Sequence, residues 1–437
     1  MTIPGFPAPS TEDRAGRFAA WVVVILLMSV TIEGPLRFFL WTHGKESLLY
    51  ARDALVVIAL GWNLAASFFS GRWRSFALLG LLLFAWGMVL GYFYTHRLAQ
   101  VGFGVKVMLP LALGFVAAPT LLEESERFRK FLLGLIVVAF IGAVASAVYT
   151  MPWEGLSYQI AQFQIEGNRQ WMMEGLDRVS GFSRASFNLG FQLLFFTAFV
   201  TCFFESRLVV AAALAMSGCG IYLTTNRATL LAWIILAFYT IAGTLSHRLR
   251  PAFKLTALLL AAAVIILPLA KVDDFREVMG RGHGRTSTSS MQDRLREGWP
   301  RAFNLIQQHG NPVFGRGLGG IGAAQKQFEP DLYNSGDNLF VYLYVCLGLL
   351  GGICVIALPL GALGLKPADR ADHAMALGAL LALLAAGLAT NCLEDPVVGV
   401  FSGLILAVLW SGPVPLPDSL AEPAAESSPM AFGSAVS

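Results

Sequence analysis

The sequence contains little charge for its length. Asp, Glu, Lys and Arg make up 14% of its 437 residues, whereas soluble domains carry roughly 25% charge. Hydrophobic residues make up 56% of the chain, and its mean hydropathy is +0.63. This composition excludes a single soluble core and predicts a protein that lies largely within a lipid bilayer.

The sequence also lacks grouped metal ligands. Its five cysteines lie singly in apolar segments, without CxxC or CxxH spacing, so we expect inert thiols rather than a metal site or a disulfide framework. The histidines His283 and His309 have no second ligand nearby in the sequence. No metal and no other cofactor is predicted. The cysteines are Cys202, Cys219, Cys346, Cys354 and Cys392.

Motifs for nucleotide binding are missing as well. The short connections contain no GxxxxGK[ST] phosphate loop, so the sequence does not predict ATP-driven transport. The glycines of segment 312–322 do not follow a strand of a βαβ unit, which argues against a dinucleotide fold. The formal charge of +3 decides nothing by itself, since its distribution matters more. We expect no nucleic-acid partner.

Twelve apolar runs predict an all-α integral membrane protein with about 12 transmembrane helices. Several runs are shorter than the roughly 20 residues of a straight span, so their ends must extend into the polar flanks. An even number of spans places both termini on the same side. The runs are 18–32, 48–69, 76–93, 101–118, 131–150, 187–204, 208–224, 228–245, 253–270, 339–363, 374–390 and 397–410.

Lys and Arg in the short connections predict the orientation. With twelve spans they fall on one side, which is then the cytoplasm: Arg14, Arg17, Arg72, Arg74, Arg127, Arg129, Lys130, Arg207, Arg248, Arg250, Lys254, Lys366 and Arg370. We therefore expect a multi-pass protein of the bacterial inner membrane whose active face is periplasmic. The expected organisation is a cytoplasmic N-terminus (1–17), spans one to nine (18–270) with a periplasmic segment (151–186), a large periplasmic loop (271–338), spans ten to twelve (339–411) and a disordered cytoplasmic tail (412–437).

The outward face is rich in arginine. Arg227 lies in the polar patch 224–227 between two apolar runs, where a planar guanidinium can bind a phosphate oxygen. A snorkelling side chain or an intramembrane ion pair is the alternative. The predicted outward arginines are Arg37, Arg52, Arg169, Arg178, Arg184, Arg227, Arg276, Arg281, Arg285, Arg294, Arg296, Arg301 and Arg316.

The segment 178–190, RVSGFSRASFNLG, places two arginines among small residues before the sixth span. Backbone N–H groups and a helix start in such a segment can bind an anion. Any external loop that enters a helix could have the same composition, so the ordinary loop remains an alternative.

The large loop has an internal order. Leu295, Trp299, Phe303 and Ile306 are spaced three and four apart, which predicts an amphipathic helix over 291–308. Asp337 and Asn338 directly precede the tenth apolar run. Asp337 is either a helix cap or a carboxylate that accepts a proton from a sugar hydroxyl, and one residue could do both.

Together these motifs resemble those of the O-antigen polymerase and ligase superfamily. The segments RVSGFSRASFNLG (178–190), LTTNRATLLAW (223–233), EGPLR (33–37) and YARDALV (50–56) resemble other parts of its members, so the likeness covers most of the chain. The loop motif comprises Ser290, Arg294-Leu295, Trp299, Ala302, Ile306, the run 312–319 (PVFGRGLG), Asp337-Asn338-Leu339 and the glycine-rich stretch 348–351.

The resemblance implies a helical membrane fold related to the metal-independent C-type glycosyltransferases (GT-C-like). Its members use glycans carried on undecaprenyl diphosphate: ligases transfer the glycan to lipid A-core, and polymerases transfer it to the next lipid-linked repeat unit. Asp337 stands where ligases usually have His, which favours a polymerase of O-antigen or exopolysaccharide. A ligase is the alternative in the same class, and a lipid-linked glycan transporter is the alternative in another class.

Starting from this resemblance, we hypothesise roles for individual residues in an inverting, metal-independent transfer. Asp337 would deprotonate or orient the acceptor hydroxyl and Asn338 would position it, with the long loop as a lid. Membrane lipids are expected partners, together with a possible chain-length regulator. Arg227, Arg184 and Arg178 would hold the donor diphosphate, Arg294 would bind donor phosphate or glycan, and Arg37 and Arg316 would be further substrate-binding residues.

Overall fold

The computed structural model describes residues 11–70, 74–160, 163–169, 172–173, 176–245, 249–270, 289–366 and 370–410. The predicted disordered tail and Arg276, Arg281, His283 and Arg285 lie outside these residues. The apolar helices are α1 (Thr11–Thr31), α3 (Leu49–Ser70), α4 (Arg74–Thr95), α5 (Leu98–Glu123), α6 (Ser125–Val148), α7 (Ser186–Phe203), α8 (Arg207–Leu223), α9 (Arg227–Leu245), α10 (Arg250–Ile266), α14 (Leu339–Leu347), α15 (Leu349–Leu363), α16 (Ala371–Gly387) and α17 (Pro396–Trp410).

The helices confirm an all-α polytopic membrane protein. Six described helices are long and apolar enough to cross a membrane, and six shorter apolar helices accompany them. Eleven of the predicted runs each coincide with one helix, with ends that differ by a few residues. The first helix begins at Thr11 rather than at residue 18, so part of the predicted polar N-terminus is helical.

The tenth predicted run is not one helix. Gly348 has φ +61° and separates α14 from α15. A Cβ atom there would lie 2.1 Å from the carbonyl oxygen of Val313, and the amide of Leu349 donates to that same oxygen. The glycine-rich turn of the large loop thus packs directly on the bend, where only glycine combines this φ with so close an approach.

The centre of the bundle is α7, a helix that is buried over most of its length. A helix that is apolar all round is buried on all sides. Phe195, Phe196 and Phe199 of α7 contact Phe401 of α17. Close packing between α5 and α17 supports this core, since a Cβ atom at Gly403 would lie 2.2 Å from the carbonyl oxygen of Leu111.

The predicted outward segments meet at one end of the bundle, here called the loop-rich end and formed by the described residues of the ranges 32–48, 96–97, 149–185, 289–338 and 388–395. Three contacts connect them: the amide of Gly34 with the carbonyl of Phe182 (2.7 Å), the Arg97 guanidinium with the carbonyl of Phe328, and the Asn338 side chain with Leu388 (3.0 Å). The opposite end has short connections, where Lys254 Nζ donates to the carbonyls of Leu363 and Leu365.

The loop-rich end contains short elements of its own. They are α2 (Glu33–Thr42), the antiparallel hairpin β1 (Ser157–Ile160) with β2 (Phe163–Glu166), the pair β3 (Met172–Met173) with β4 (Leu176–Asp177), α11 (Ser289–Asp293), α12 (Trp299–His309) and α13 (Ala323–Phe328). The predicted amphipathic helix is confirmed, because Leu295, Trp299 and Ile306 are buried.

A π-helical turn over Arg294–Gly298 joins α11 to α12, and the amide of Trp299 donates to the carbonyl of Arg294. Pro300 lacks an N–H group, and its ring would clash with the carbonyl four residues earlier in a regular α-helix. The wider turn avoids that clash. Such turns occur frequently at functional sites.

Candidate active site

Arg294 and Asp337 form an ion pair at the loop-rich end. Arg294 Nε donates to Asp337 Oδ2 at 3.1 Å, and Nη2 lies 3.1 Å from the same oxygen. Arg294 Nη1 also donates to the side chain and the carbonyl of Ser290. The described residues supply no hydrogen bond to Oδ1 of Asp337, and 34% of this side chain is exposed.

An open polar cavity of about 330 Å³ surrounds this pair. The Trp299 indole donates to the carbonyl of Asp337 at 3.3 Å, and Asn334 Nδ2 donates to the carbonyl of Gly298 at 2.7 Å. These bonds hold the cavity wall in place. The lining residues are Ser290, Asp293, Arg294, Glu297, Gly298, Trp299, Arg301, Asn334, Ser335 and Asp337.

Arg178 interacts electrostatically with both Arg227 and Arg294. Burial lowers the pKa of Arg178, and the positive charges of Arg227 and Arg294 lower it further. Arg227 is the first residue of α9, and Arg178 follows β4 directly. Three distant segments therefore supply three cations, with Arg178 interacting with the other two and Arg294 paired with Asp337, and we call Arg178, Arg227 and Arg294 the arginine cluster.

Asn338, rather than Asp337, caps α14. Its side-chain oxygen accepts from the amide of Val341 at 3.0 Å, and its Nδ2 donates to the carbonyls of Val264 and Leu388. The side chain is fully buried. The helix-cap interpretation of Asp337 is therefore wrong, and the predicted contact of Asn338 with the acceptor does not fit a side chain that is already bound on both of its polar atoms.

Arg316 also has a structural role. Only 1% of the residue is exposed, and its guanidinium donates to the carbonyls of His309 and Gly320 and to Glu329 Oε1 at 2.8 Å. These bonds hold the glycine-rich turn against α12 and α13. The position does not support the substrate contact predicted for Arg316.

Arg184 lies apart from the arginine cluster, contrary to the expectation that Arg178, Arg184 and Arg227 hold one diphosphate. Its main charge interactions are with Arg37 and Glu33, and burial together with the charge of Arg37 lowers the pKa of Arg184 to about 10. The chain turns at Gly181, which has φ +58°. Phe182 then bonds to α2, so Arg184 points to α2 instead of α9.

Arg37 is held by its neighbours. It donates to the carboxylate of Glu33 and to the hydroxyl of Tyr158 on β1. Although burial raises the pKa of Glu33, the charges of Arg37, Arg52 and Arg184 outweigh it and bring this pKa to about 2. Glu33 is therefore a permanent anion among three cations.

Glu394 was not predicted from the sequence. It lies between α16 and α17, and both of its carboxylate oxygens accept from the amide of Ala323, at 2.9 and 3.2 Å. Burial raises the pKa of Glu394 to about 7, and the charge of Asp337 adds to this effect. The signal in the sequence was the pair Glu394-Asp395, two carboxylates in a short connection between apolar runs. Among the described residues, no three His, Cys, Asp or Glu side chains are grouped so that they could hold a metal ion.

Comparisons with known proteins give one match. The search of curated proteins found no similar protein, and the search of solved structures found no similar structure. The matched segment, residues 211–356, contains Arg227, Arg294 and Asp337, and the family model that it matches is described as O-antigen ligase. Through this segment the chain is confirmed as similar to the O-antigen polymerase and ligase superfamily, whose members transfer glycans.

Proposed function

We propose that the protein is a glycosyltransferase of the periplasmic face of the inner membrane that polymerises undecaprenyl-diphosphate-linked repeat units. The observation that carries this proposal is the Arg294–Asp337 ion pair in an open cavity, with the charges of Arg227 and Arg294 acting on Arg178. Three cations suit the charge of a diphosphate, and a half-exposed carboxylate suits contact with a sugar hydroxyl.

The proposed reaction inverts the anomeric carbon. The acceptor hydroxyl attacks that carbon, a new C–O bond forms, and the C–O bond to the donor diphosphate breaks. The electron pair of the broken bond leaves with the diphosphate, and the cations of the arginine cluster stabilise its developing charge. No metal ion takes part in this scheme.

Asp337 receives the hydroxyl proton in this mechanism. Its Oδ2 is occupied by Arg294, so the proton goes to Oδ1. The ion pair fixes the direction of the carboxylate. Arg294 thus contacts both the base and, in this proposal, the leaving group, which places the two ends of the reaction next to each other.

A ligase is the second candidate, because the matched family model is described as O-antigen ligase. The two activities differ in the acceptor. Purified protein is given one lipid-linked donor and either a lipid-linked repeat unit or lipid A-core. We expect a ladder of products on the repeat unit and no transfer to lipid A-core. A single product on lipid A-core would make the protein a ligase, and transport without any transfer would make it a transporter.

A further inference from the structure

A second group of cations lies at the loop-rich end, outside the cavity of Asp337. Arg37, Arg52 and Arg184 surround Glu33, and these four residues are here called the Glu33 cluster. Arg37 hydrogen-bonds to Glu33, Arg52 Nη1 lies 4.0 Å from Glu33 Oε1, and the charge of Arg184 acts on Glu33. One carboxylate therefore faces three guanidinium groups.

Arg52 is the least satisfied member of this cluster. Its Nε and Nη1 atoms are buried and have no hydrogen bond to any residue that the structure describes. Its nearest anions are Glu33 at 4.0 Å and Asp53 at 3.7 Å, both beyond hydrogen-bond distance. Asp53 also pairs with Lys106 at 2.6 Å, so its charge is shared. A buried hydrogen-bond donor without an acceptor is unfavourable unless a ligand supplies the acceptor.

Arg184 also has hydrogen-bond donors that are not bonded within the described chain. Within the described chain only its Nε is bonded, to the carbonyl of Glu166 at 3.1 Å. The lowered pKa of Arg184, about 10, means that burial and the charge of Arg37 destabilise its charged form without neutralising it at pH 7. A bound anion would remove this destabilisation.

The helix that carries Glu33 and Arg37 has features typical of the membrane interface. This helix, α2, follows the first span and buries Glu33, Arg37 and Leu40, while Phe39 and Trp41 are exposed. Aromatic residues on the outer face of a short helix beside a span are typical of the membrane interface. A phosphate at this site would belong to a molecule anchored in the bilayer.

We propose that the Glu33 cluster is a second phosphate site, which binds the diphosphate of the lipid-linked acceptor while the arginine cluster binds that of the donor. The inference rests on the proposed function, because a polymerase uses two lipid diphosphates at the same time. In the acceptor a repeat unit separates the reacting hydroxyl from the diphosphate. Its phosphate site must therefore lie outside the cavity of Asp337, and no residue of the Glu33 cluster lines that cavity.

The test compares two acceptors with the same glycan. The donor is a lipid-linked repeat unit whose acceptor hydroxyl is blocked. One acceptor carries the repeat unit on farnesyl diphosphate, and the other carries it on an uncharged alkyl chain. With the full chain in phosphatidylcholine nanodiscs, we expect the KM of the alkyl acceptor to exceed that of the diphosphate acceptor about tenfold or more, the effect of one to two charge-assisted contacts.

The variant Arg52→Gln should bring the ratio of these two KM values close to one. Because Nε and Nη1 of Arg52 have no hydrogen-bond partner among the described residues, this variant should fold, and its thermal unfolding provides the check. Arg184→Gln should have the same effect, and Arg184→Lys should give a KM ratio between that of Arg184→Gln and that of the wild type. The control is Arg127→Gln, at an 83% exposed side chain of the opposite end, which should keep the ratio of the wild type.

Three results would overturn the inference: equal KM values in the wild type, an unchanged ratio in Arg52→Gln and Arg184→Gln, or a rise in the donor KM instead. Replacing phosphatidylcholine by phosphatidylglycerol tests the source of the phosphate, because competition by that headgroup would make this a general lipid site. If the wild type transfers glycan to neither acceptor, the proposed function itself fails, which these assays distinguish from failure of the second site alone.

Discussion

Arg294 holds Asp337 through a single carboxylate oxygen, with Nε and Nη2 both 3.1 Å from Oδ2. The second oxygen remains available to a substrate in the open cavity. Arg294 belongs to the π-helical turn that Pro300 imposes on the large loop, and Asp337 directly precedes α14. The pair thus joins the loop to the membrane helices at the point where chemistry is proposed.

Asp337→Asn should leave the protein folded and reduce the rate of transfer by roughly 10²-fold or more, because it removes the proton acceptor. The cap of α14 is Asn338, so this change does not disturb the helix start. Asn338→Ala should instead lower the amount of folded protein, since it removes three buried hydrogen bonds. Rates and thermal unfolding of both variants are measured together. Near-normal synthesis by Asp337→Asn would show that the base lies elsewhere.

Arg227→Lys should reduce use of the donor severely while the protein inserts normally. Lysine keeps the charge but loses the planar pair of donors that fits a phosphate. Arg207→Lys is the matched control, because Arg207 is also the first residue of an apolar helix but lies at the opposite end. Initial rates at varied donor concentration compare the two. Equal effects of both changes would argue against phosphate binding by Arg227.

Asp331→Cys in a cysteine-free variant should react with a membrane-impermeant thiol reagent in intact spheroplasts, whereas Glu123→Cys should not. The first position is exposed at the loop-rich end and the second at the opposite end of α5. A helix of 26 residues is about 39 Å long, enough to cross the bilayer. The opposite labelling pattern would place the cavity in the cytoplasm.

Glu394→Gln should stabilise the protein at high pH. The pKa of Glu394 in the folded chain, about 7, lies above its ordinary value of 4.5. The stability that its neutral form provides is fully present below about pH 4.5 and is lost as the pH rises through 7. The unfolding temperature of the variant should exceed that of the wild type increasingly from pH 5 to pH 8. A difference that does not change with pH would contradict the shifted pKa.

Apolar run length was enough to predict nearly every helix, because a bilayer imposes a length that the sequence displays directly. The break in the tenth run was not predictable, since Gly348 bends only where Val313 of a distant loop packs against it. Which residue caps α14 depends on whether the helix begins after Asp337 or after Asn338, and Asp and Asn are both good caps. That ambiguity made Asp337 and Asn338 exchangeable in the sequence.

The sequence predicted only part of the candidate site, because some of its residues are grouped by tertiary contacts. Motif likeness selected Arg227, Arg294 and Asp337, and the structure pairs Arg294 with Asp337 while the charges of both arginines act on Arg178. Proximity in sequence grouped Arg178 with Arg184, but the turn at Gly181 sends them to different clusters. The separation of Arg178 from Arg184 arises from tertiary contacts, which a local sequence pattern does not predict.

The most direct test of the central claim uses purified protein, lipid-linked repeat units and a chelator in one reaction. The account predicts that this chain alone makes a ladder of products and releases lipid diphosphate, because the arginine cluster stabilises the leaving group. Extensive washing and chelation should not change the yield. Absence of any ladder, or a ladder that returns only when one divalent ion is added, would contradict the account, since the ion would then stabilise the leaving diphosphate.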